Sequence, residues 1–283
     1  MFETLVEPFV ANPFMIRALV AGLLTVVTTT LVGTWVVLRG LSFLGDAMAH
    51  GVLPGIAVAV LVGASTTVGA VVSGAAMVAG IDLVRRRTRL SGDTAIGLLF
   101  VGMLALGVAI ISRGGAYATD LSTILFGDAI AVGRDDIMVT LVAAVFVSIA
   151  TIVGYRAFLA LTYSEDTTAT LGLDPARVHL AMLVLIGVAV VASFRTVGTL
   201  LVFALLVAPA ATAALVARRV PVLMGVGMGV GGLAVVTGLL VSFHWGVAAS
   251  PAIAVVSVAL FFAVLAGKEI ALPVQRARAR TSG

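Results

Sequence analysis

The sequence predicts an all-α polytopic integral membrane protein, a bundle of eight or nine transmembrane helices with a broken second helix. Of the 283 residues, 61% are hydrophobic and only 11% are charged. The mean hydropathy of +1.23 lies far above that of soluble domains. The apolar runs are continuous and reach about 20 residues, as bilayer-crossing helices require, and the alternation of a membrane β-barrel is absent. We therefore expect one transmembrane domain over residues 1–283.

The individual spans follow from the apolar runs between polar or glycine-rich breaks. They lie at about 14–38, 41–62, 66–84, 94–112, 137–161, 178–194, 196–217, 221–243 and 248–267. The pair on either side of Arg195 leaves the count at eight or nine. These two short segments are either two spans or one span and a re-entrant piece.

The arginines indicate the orientation, because short cytoplasmic loops retain Lys and Arg. The strongest cluster comprises Arg85, Arg86, Arg87 and Arg89. Placing this cluster inside also places the following basic residues inside: Arg39, Arg177, Arg218, Arg219 and those of the tail 268–280. The N-terminus is then expected outside and the C-terminus inside.

The second span carries an aspartate and a histidine four residues apart, Asp46 and His50. This spacing places both side chains on one face of a helix. An ionisable group at membrane depth costs at least about 2.5 kcal/mol on insertion scales, so each one needs a reason. A carboxylate and a neutral imidazole suit Mn²⁺, Fe²⁺ or Zn²⁺. The sequence therefore predicts a metal site at Asp46 and His50.

The helix around this pair is expected to be irregular, because helix-interrupting residues surround it: Gly45, Gly51, Pro54 and Gly55. Interrupted membrane helices tend to line cavities and pathways. The alternative is structural: Asp46 would cap the second half of the broken helix, and His50 would satisfy a neighbouring carbonyl. A cap explains Asp46 but not the histidine one turn later, which favours the metal site. The other two histidines, His179 and His244, are expected at the membrane interfaces.

Several motifs of catalysis are missing from the sequence. The single lysine, Lys268, is followed by Glu269, so no Walker A motif exists. Neither H-E-x-x-H nor G-x-S-x-G occurs, and the chain has no cysteine. We therefore expect that this chain is not an enzyme and has no permanently bound cofactor. If ATP is used, another chain binds it.

Two connections are longer than a turn. Residues 113–136 fall outside, where a partner or a gate could sit, and residues 162–177, TYSEDTTATLGLDPAR, fall inside. The inner segment predicts a short helix capped by Ser164 or Asp166 and ended by Gly172, with Asp174 starting the next element. Such a helix at a cytoplasmic turn suits a docking role, and a solvated loop is the alternative.

Five stretches then fit one pattern along nearly the whole chain. They are GTWVVLRGLSFLGDAMAHGVLPGIA at 33–57, GDTAIGLLF at 92–100, ILFGD at 124–128, LGLDP at 171–175 and VGTLLVFALLVAPAATA at 197–213. Together they resemble the signature of the permease subunits of zinc, manganese and iron ABC importers. Because the stretches occur in order and at plausible spacing, the resemblance is more specific than any single motif.

The resemblance implies a plasma-membrane permease that works as a pair of copies. Cytoplasmic ATP-binding subunits would drive it, and an extracellular metal-binding protein would supply the ion. The family's G-D-x-x-x-H element maps onto Asp46 and His50 as the metal ligands. The family's coupling helix, which sits in a groove of the ATPase, maps to about 164–172.

The coupling residues of this chain would be Ser164, Glu165, Asp166 and Gly172. The family commonly has F-D-P-E-x-A-x-x-x-G at this turn, whereas this chain has YSEDTTATLG. Individual ATPase contacts are therefore not carried across, except for Gly172.

The sequence is compatible with a second function and with three different ions. The rival function is a self-contained secondary transporter or channel that uses the same Asp46–His50 pair to move metal without ATP. The ion itself is manganese, zinc or iron, because aspartate and histidine ligands accept all three.

Overall fold

The computed structural model describes residues 8, 9, 11–88, 90–112 and 132–281, with the side chains of residues 195 and 271–281 left out. Within these ranges the chain is helical and forms no strand. Three features considered in the sequence lie outside the described residues: Arg89, most of the outer connection at 113–136, and the 124–128 stretch. The predicted all-α membrane fold is confirmed.

Ten helices have both bounds within the described ranges. They are α1 Pro13–Leu38, α2 Ser42–Gly51, α3 Leu53–Leu61, α4 Thr66–Arg87, α5 Gly92–Ile111, α6 Arg134–Tyr163, α7 Glu165–Thr170, α8 Pro175–Val216, α9 Val220–Trp245 and α10 Ala249–Thr281. Nine segments in the described part are long and apolar enough to cross a membrane, with α2 and α3 together forming one of them and α8 forming two.

The second span is broken, as predicted, at Val52 between α2 and α3. Pro54 is the physical cause, because proline has no N–H and cannot bond to the carbonyl of the residue four positions earlier. The break is mild, since Val52 keeps a near-helical conformation (φ −82°, ψ −16°). The hydroxyl of Ser73 in α4 donates to the Gly51 carbonyl oxygen at 2.7 Å. This bond fixes the break against α4.

Helix α8 reverses direction at Gly198, whose backbone has φ 76° and ψ 166°. A straight helix would place Leu206 about 40 Å beyond His179. His179 instead contacts Arg39, while the Leu206 carbonyl lies directly against Gly33. Since Gly33 and Arg39 are only about 9 Å apart along α1, the chain must have turned back. The reversal makes the segments on either side of Arg195 two antiparallel arms, Pro175–Phe194 and Thr196–Val216.

The basic ends of the helices gather at one face, as the orientation argument requires. Arg39 follows α1 and contacts His179 near the start of α8, and Arg85 at the end of α4 contacts Glu165 of α7. The ammonium group of Lys268 in α10 donates to the Leu215 carbonyl oxygen near the end of α8 at 2.8 Å. We call this side of the bundle the basic face. It corresponds to the side predicted to be cytoplasmic.

Helices α3 and α4 cross at Gly55 and Gly69 with backbone against backbone. A Cβ atom on Gly55 would collide with the carbonyl oxygen of Gly69, and the reverse holds as well. Small residues allow such close approach of membrane helices. Gly55→Ala is therefore expected to destabilise the fold by at least about 1–3 kcal/mol through overpacking. The thermal unfolding midpoint in detergent should fall.

Gly97→Ala in α5 is the matched control, because a Cβ atom at Gly97 would meet nothing within 4 Å. Its unfolding midpoint should stay close to that of the unchanged protein. Equal midpoints for the two variants would contradict the close crossing of α3 and α4.

Candidate functional site

The turn between α1 and α2 sets the position of the predicted metal ligands. Gly40 has a left-handed conformation (φ 68°), and the Leu41 N–H donates back to the Val36 carbonyl at 2.9 Å. This is the hydrogen-bond pattern of a glycine-terminated helix. It ends α1 and allows α2 to begin at Ser42. Asp46 and His50 then follow at about 6 and 12 Å along α2.

Asp46 and His50 lie on one face of α2, as their spacing predicts. Asp46 Oδ1 and His50 Nε2 are 3.4 Å apart. The side chains are 26% and 20% exposed, respectively. The opposite face of α2 is fully buried, including Leu44, Ala47 and Met48. The core thus fixes the helix and leaves the Asp46–His50 pair partly exposed at the surface of the chain.

Aromatic rings border this pair on the side of α5. The rings of His50 and Phe100 meet edge to face with centroids 5.6 Å apart. Phe43 makes a similar contact with Phe100 at 5.2 Å. His50 Nδ1 is buried and has no hydrogen-bond partner within the described part of the chain. The imidazole is therefore positioned by packing and keeps a free ring nitrogen.

The structural alternative for the pair does not match the observed positions. Asp46 is the fifth residue of α2 and caps neither α2 nor α3, whose preceding residues are Leu41 and Val52. Among the described residues, no carbonyl accepts a hydrogen bond from His50. The Asp46 carboxylate and the Nε2 atom of His50 therefore have no competing partner among the described residues.

The described residues around the predicted site would supply only part of a coordination shell. No group of three or more His, Asp or Glu side chains that could hold a metal ion occurs among the residues that the structure describes. The predicted site thus has two candidate ligands, Asp46 and His50, and their partial exposure leaves room for water. Such an arrangement suits brief binding better than a closed four-ligand shell does.

The short helix predicted near 164–172 is present as α7. The Ser164 hydroxyl accepts the N–H of Thr167 at 2.9 Å, so Ser164 rather than Asp166 is the cap. Gly172 adopts φ 75° and ends the helix. Asp174 caps α8 as expected, its carboxylate accepting the N–H of Ala176 at 3.0 Å. Asp166 lies exposed in the first turn of α7.

Glu165 has a more specific position than the sequence predicts. Its Oε1 atom lies 2.5 Å from Nη2 of Arg85 in α4. Of the four ion pairs between side chains that the structure describes, this one alone joins two helices. The pair therefore ties α7 to α4 at the basic face.

His179, expected at a membrane interface, lies near the start of α8 at the basic face. Its side chain is buried, with 7% of its surface exposed, and its Nδ1 atom lies 2.9 Å from Nη1 of Arg39. Burial and then the nearby Arg85 lower the pKa of Arg39, whereas Glu165 raises it. No signal in the sequence connects positions 39 and 179.

His244 lies at the end of α9, where Nδ1 donates to the Leu240 carbonyl at 2.8 Å.

Comparisons with known proteins agree with this architecture. The model of the ABC 3 transport family matches residues 11–268. The manganese transport system membrane protein MntC of Halalkalibacterium halodurans is 35% identical over 255 residues, covering 90% of this chain and 87% of the relative. The chelated iron transport system membrane protein YfeD of Yersinia pestis is 35% identical over 266 residues, covering 93% and 88%.

A solved structure shows the same fold. It contains PsaBC from Streptococcus pneumoniae in complex with a Fab, and the matching chain has a TM-score of 0.82 and 29% identity. The match covers 93% of this chain and 95% of that chain. With nine apolar spans in its described part and a family match over residues 11–268, the chain belongs to the ABC 3 transport family and is a multi-pass plasma-membrane permease.

Proposed function

We propose that this chain is the permease subunit of an ATP-driven importer of divalent transition metal ions. The ion, manganese, zinc or iron, passes a site formed by Asp46 and His50. One observation carries the proposal: an aspartate and a histidine lie 3.4 Å apart within a membrane span and remain partly exposed on the protomer. The two relatives named for manganese and chelated iron transport support the choice of ions.

The exposure of the pair supports a second permease copy. A charged group facing lipid at membrane depth costs at least about 2.5 kcal/mol on insertion scales, so such groups face a protein interior or a water-filled path. In an isolated protomer, the Asp46 side chain is 26% exposed at the surface. A homodimer that places this face against a second copy removes the cost. The ion would then pass between the copies, each of which contributes one Asp46 and one His50.

The source of energy is a separate cytoplasmic ATP-binding subunit. The only lysine of this chain precedes Glu269 and cannot form a Walker A motif. Helix α7 at the basic face would dock onto this subunit through Ser164, Glu165, Asp166 and Gly172. On the opposite side of the membrane, an extracellular metal-binding protein would deliver the ion. The permease then functions by alternating access around the transient ion site.

Reconstitution tests the proposed function directly. The permease is placed in proteoliposomes with or without its ATP-binding subunit, in the presence of the extracellular metal-binding protein, and flux of Mn²⁺, Zn²⁺ and Fe²⁺ is followed with an indicator dye. We expect flux only with the ATP-binding subunit and ATP. Metal flux through the permease alone would contradict the proposal and favour the secondary transporter or channel. Competition among the three ions in the same vesicles identifies the preferred one.

A further inference from the structure

A cluster of charged and imidazole side chains at the basic face joins four parts of the chain. Arg39 lies in the α1–α2 turn, Arg85 at the end of α4, Glu165 at the start of α7 and His179 near the start of α8. Nη1 of Arg39 lies 2.9 Å from Nδ1 of His179, and Nη2 of Arg85 lies 2.5 Å from Oε1 of Glu165. We call these four residues the basic-face cluster.

The negative charge of Glu165 offsets the repulsion between the two arginines of this cluster. Arg39 and Arg85 repel each other, and both are attracted by the Glu165 carboxylate. Asp82 is the other nearby carboxylate. Its Oδ2 atom forms an ion pair with Nε of Arg86 at 2.7 Å, and its negative charge also attracts a proton on His179. If α7 moves and withdraws Glu165, the repulsion between Arg39 and Arg85 loses its compensation. The position of Arg39 therefore depends on the position of α7.

Arg39 is mechanically close to the metal ligands. It lies three residues before Ser42, the first residue of α2, and the tight turn at Gly40 leaves little slack between them. Helix α2 is packed against the core on one face and carries Asp46 and His50 on its other, partly exposed face. A displacement of Arg39 is therefore passed to both metal ligands.

Helix α7 has two routes to this turn. The first is the Glu165–Arg85 ion pair and the interaction of both residues with Arg39. The second runs along the chain from α7 to the first turns of α8, where His179 bonds to Arg39. Most other side chains of α7 are exposed, and Thr168 is the buried exception. Glu165 is thus the charged attachment of α7 to the rest of the protomer.

We infer that the basic-face cluster acts as a coupling element that passes movement of α7 to the α2 helix carrying Asp46 and His50. Arg39, Arg85, Glu165 and His179 are positioning residues in this scheme, because none of them touches the ion. The inference rests on the proposed function, in which α7 docks onto the ATP-binding subunit.

A charge exchange in the complete transporter tests the coupling. Metal transported per ATP hydrolysed is measured in proteoliposomes for Glu165→Arg, Arg85→Glu and the double exchange. We expect each single variant to lower this ratio by about fivefold or more, within the usual range of coupling between sites. The double exchange restores the attraction between positions 85 and 165 but not an ATPase contact of Glu165, so its ratio should exceed that of either single variant. Arg39→Gln should lower the ratio in the same way.

The control uses the ion pair at the start of α8, in which Nε of Arg177 lies 3.2 Å from Oδ2 of Asp174. Arg177 is 87% exposed, so Arg177→Gln should leave the transport ratio unchanged. If Glu165 acted only through the ATPase, Arg85→Glu would not lower the ratio and the double exchange would not restore it. Either result would overturn the inference while leaving the proposed function intact.

A distance measurement separates the inference from the proposed function. Because the chain has no cysteine, spin labels can be attached at Phe43→Cys in α2 and Val153→Cys in α6, both exposed sites. We expect a non-hydrolysable ATP analogue to change this distance in the complete complex, but not in its Arg85→Glu variant. Equal responses of the two proteins would refute the coupling element. A coupled movement without metal transport would refute the proposed function alone.

Discussion

Asp46→Asn is expected to lower metal uptake by the complete transporter at least tenfold while the complex still assembles. Asparagine has nearly the volume of aspartate but lacks the negative charge that offsets dehydration of a divalent ion. Even outer-shell changes at metal sites reduce affinity by about 10–100-fold. The loss of a direct ligand should cost at least as much as an outer-shell change. We therefore expect at least a tenfold loss in the initial rate of uptake of radioactive manganese. His50→Gln should have a comparable effect.

The matched control is Asp93→Asn, which removes a carboxylate from the exposed first turn of α5. Its uptake should equal that of the unchanged transporter. Normal uptake by a well-assembled Asp46→Asn transporter would remove Asp46 from the mechanism. If a variant changed at both Asp46 and His50 also transported metal normally, these two residues would have a purely structural role.

The sequence predicts much of the fold because the membrane imposes simple rules. Each span needs about 20 apolar residues, so the run lengths reveal the helices. Pro54 reveals the break at Val52 because a proline cannot donate the helical hydrogen bond. The Asp46–His50 pair follows from the periodicity of a helix. In each case the information is local, and the structure agrees.

The contacts between distant segments could not be predicted in the same way. Arg39 and His179 are 140 positions apart, and Arg85 and Glu165 are 80 positions apart. No periodicity connects such positions, so the sequence reveals neither Arg39 as the partner of His179 nor Arg85 as the partner of Glu165. These contacts depend on how the helices are arranged, and they make up the basic-face cluster.

The reversal at Gly198 was undecided for a related reason. The stretch 178–217 is apolar almost throughout, and its turn lacks the polar loop that normally separates two spans. The backbone of Gly198 (φ 76°, ψ 166°) suits glycine and is strongly unfavourable for other residues. A single glycine in an apolar run does not reveal such a turn. The C-terminal end of α10 differs as well, because the helix continues to Thr281 although the apolar run ends near residue 267.

Gly172→Val is expected to weaken binding of the ATP-binding subunit and, with it, metal uptake. Gly172 ends α7 with φ 75°, a conformation that costs about 1–2 kcal/mol for residues with a side chain. The Leu173 N–H, which donates to the Thr168 carbonyl at 3.2 Å, depends on this turn. The docking geometry of α7 would then be less populated, which raises the apparent dissociation constant about tenfold. Titration of the ATP-binding subunit onto the permease in nanodiscs measures this constant.

Gly172→Asn is the informative comparison, because asparagine enters the left-handed region far more readily than valine does. A Cβ atom at Gly172 would meet nothing within 4 Å, so the two variants differ in backbone preference and not in steric contact with neighbours. The asparagine variant should bind the ATP-binding subunit nearly as well as the unchanged permease. If valine and asparagine behave alike and both bind normally, the end of α7 does not determine docking. If both fail alike, Gly172 itself lies in the contact, where any side chain is excluded. Only a difference between them shows that the turn acts by holding α7 in shape for its partner.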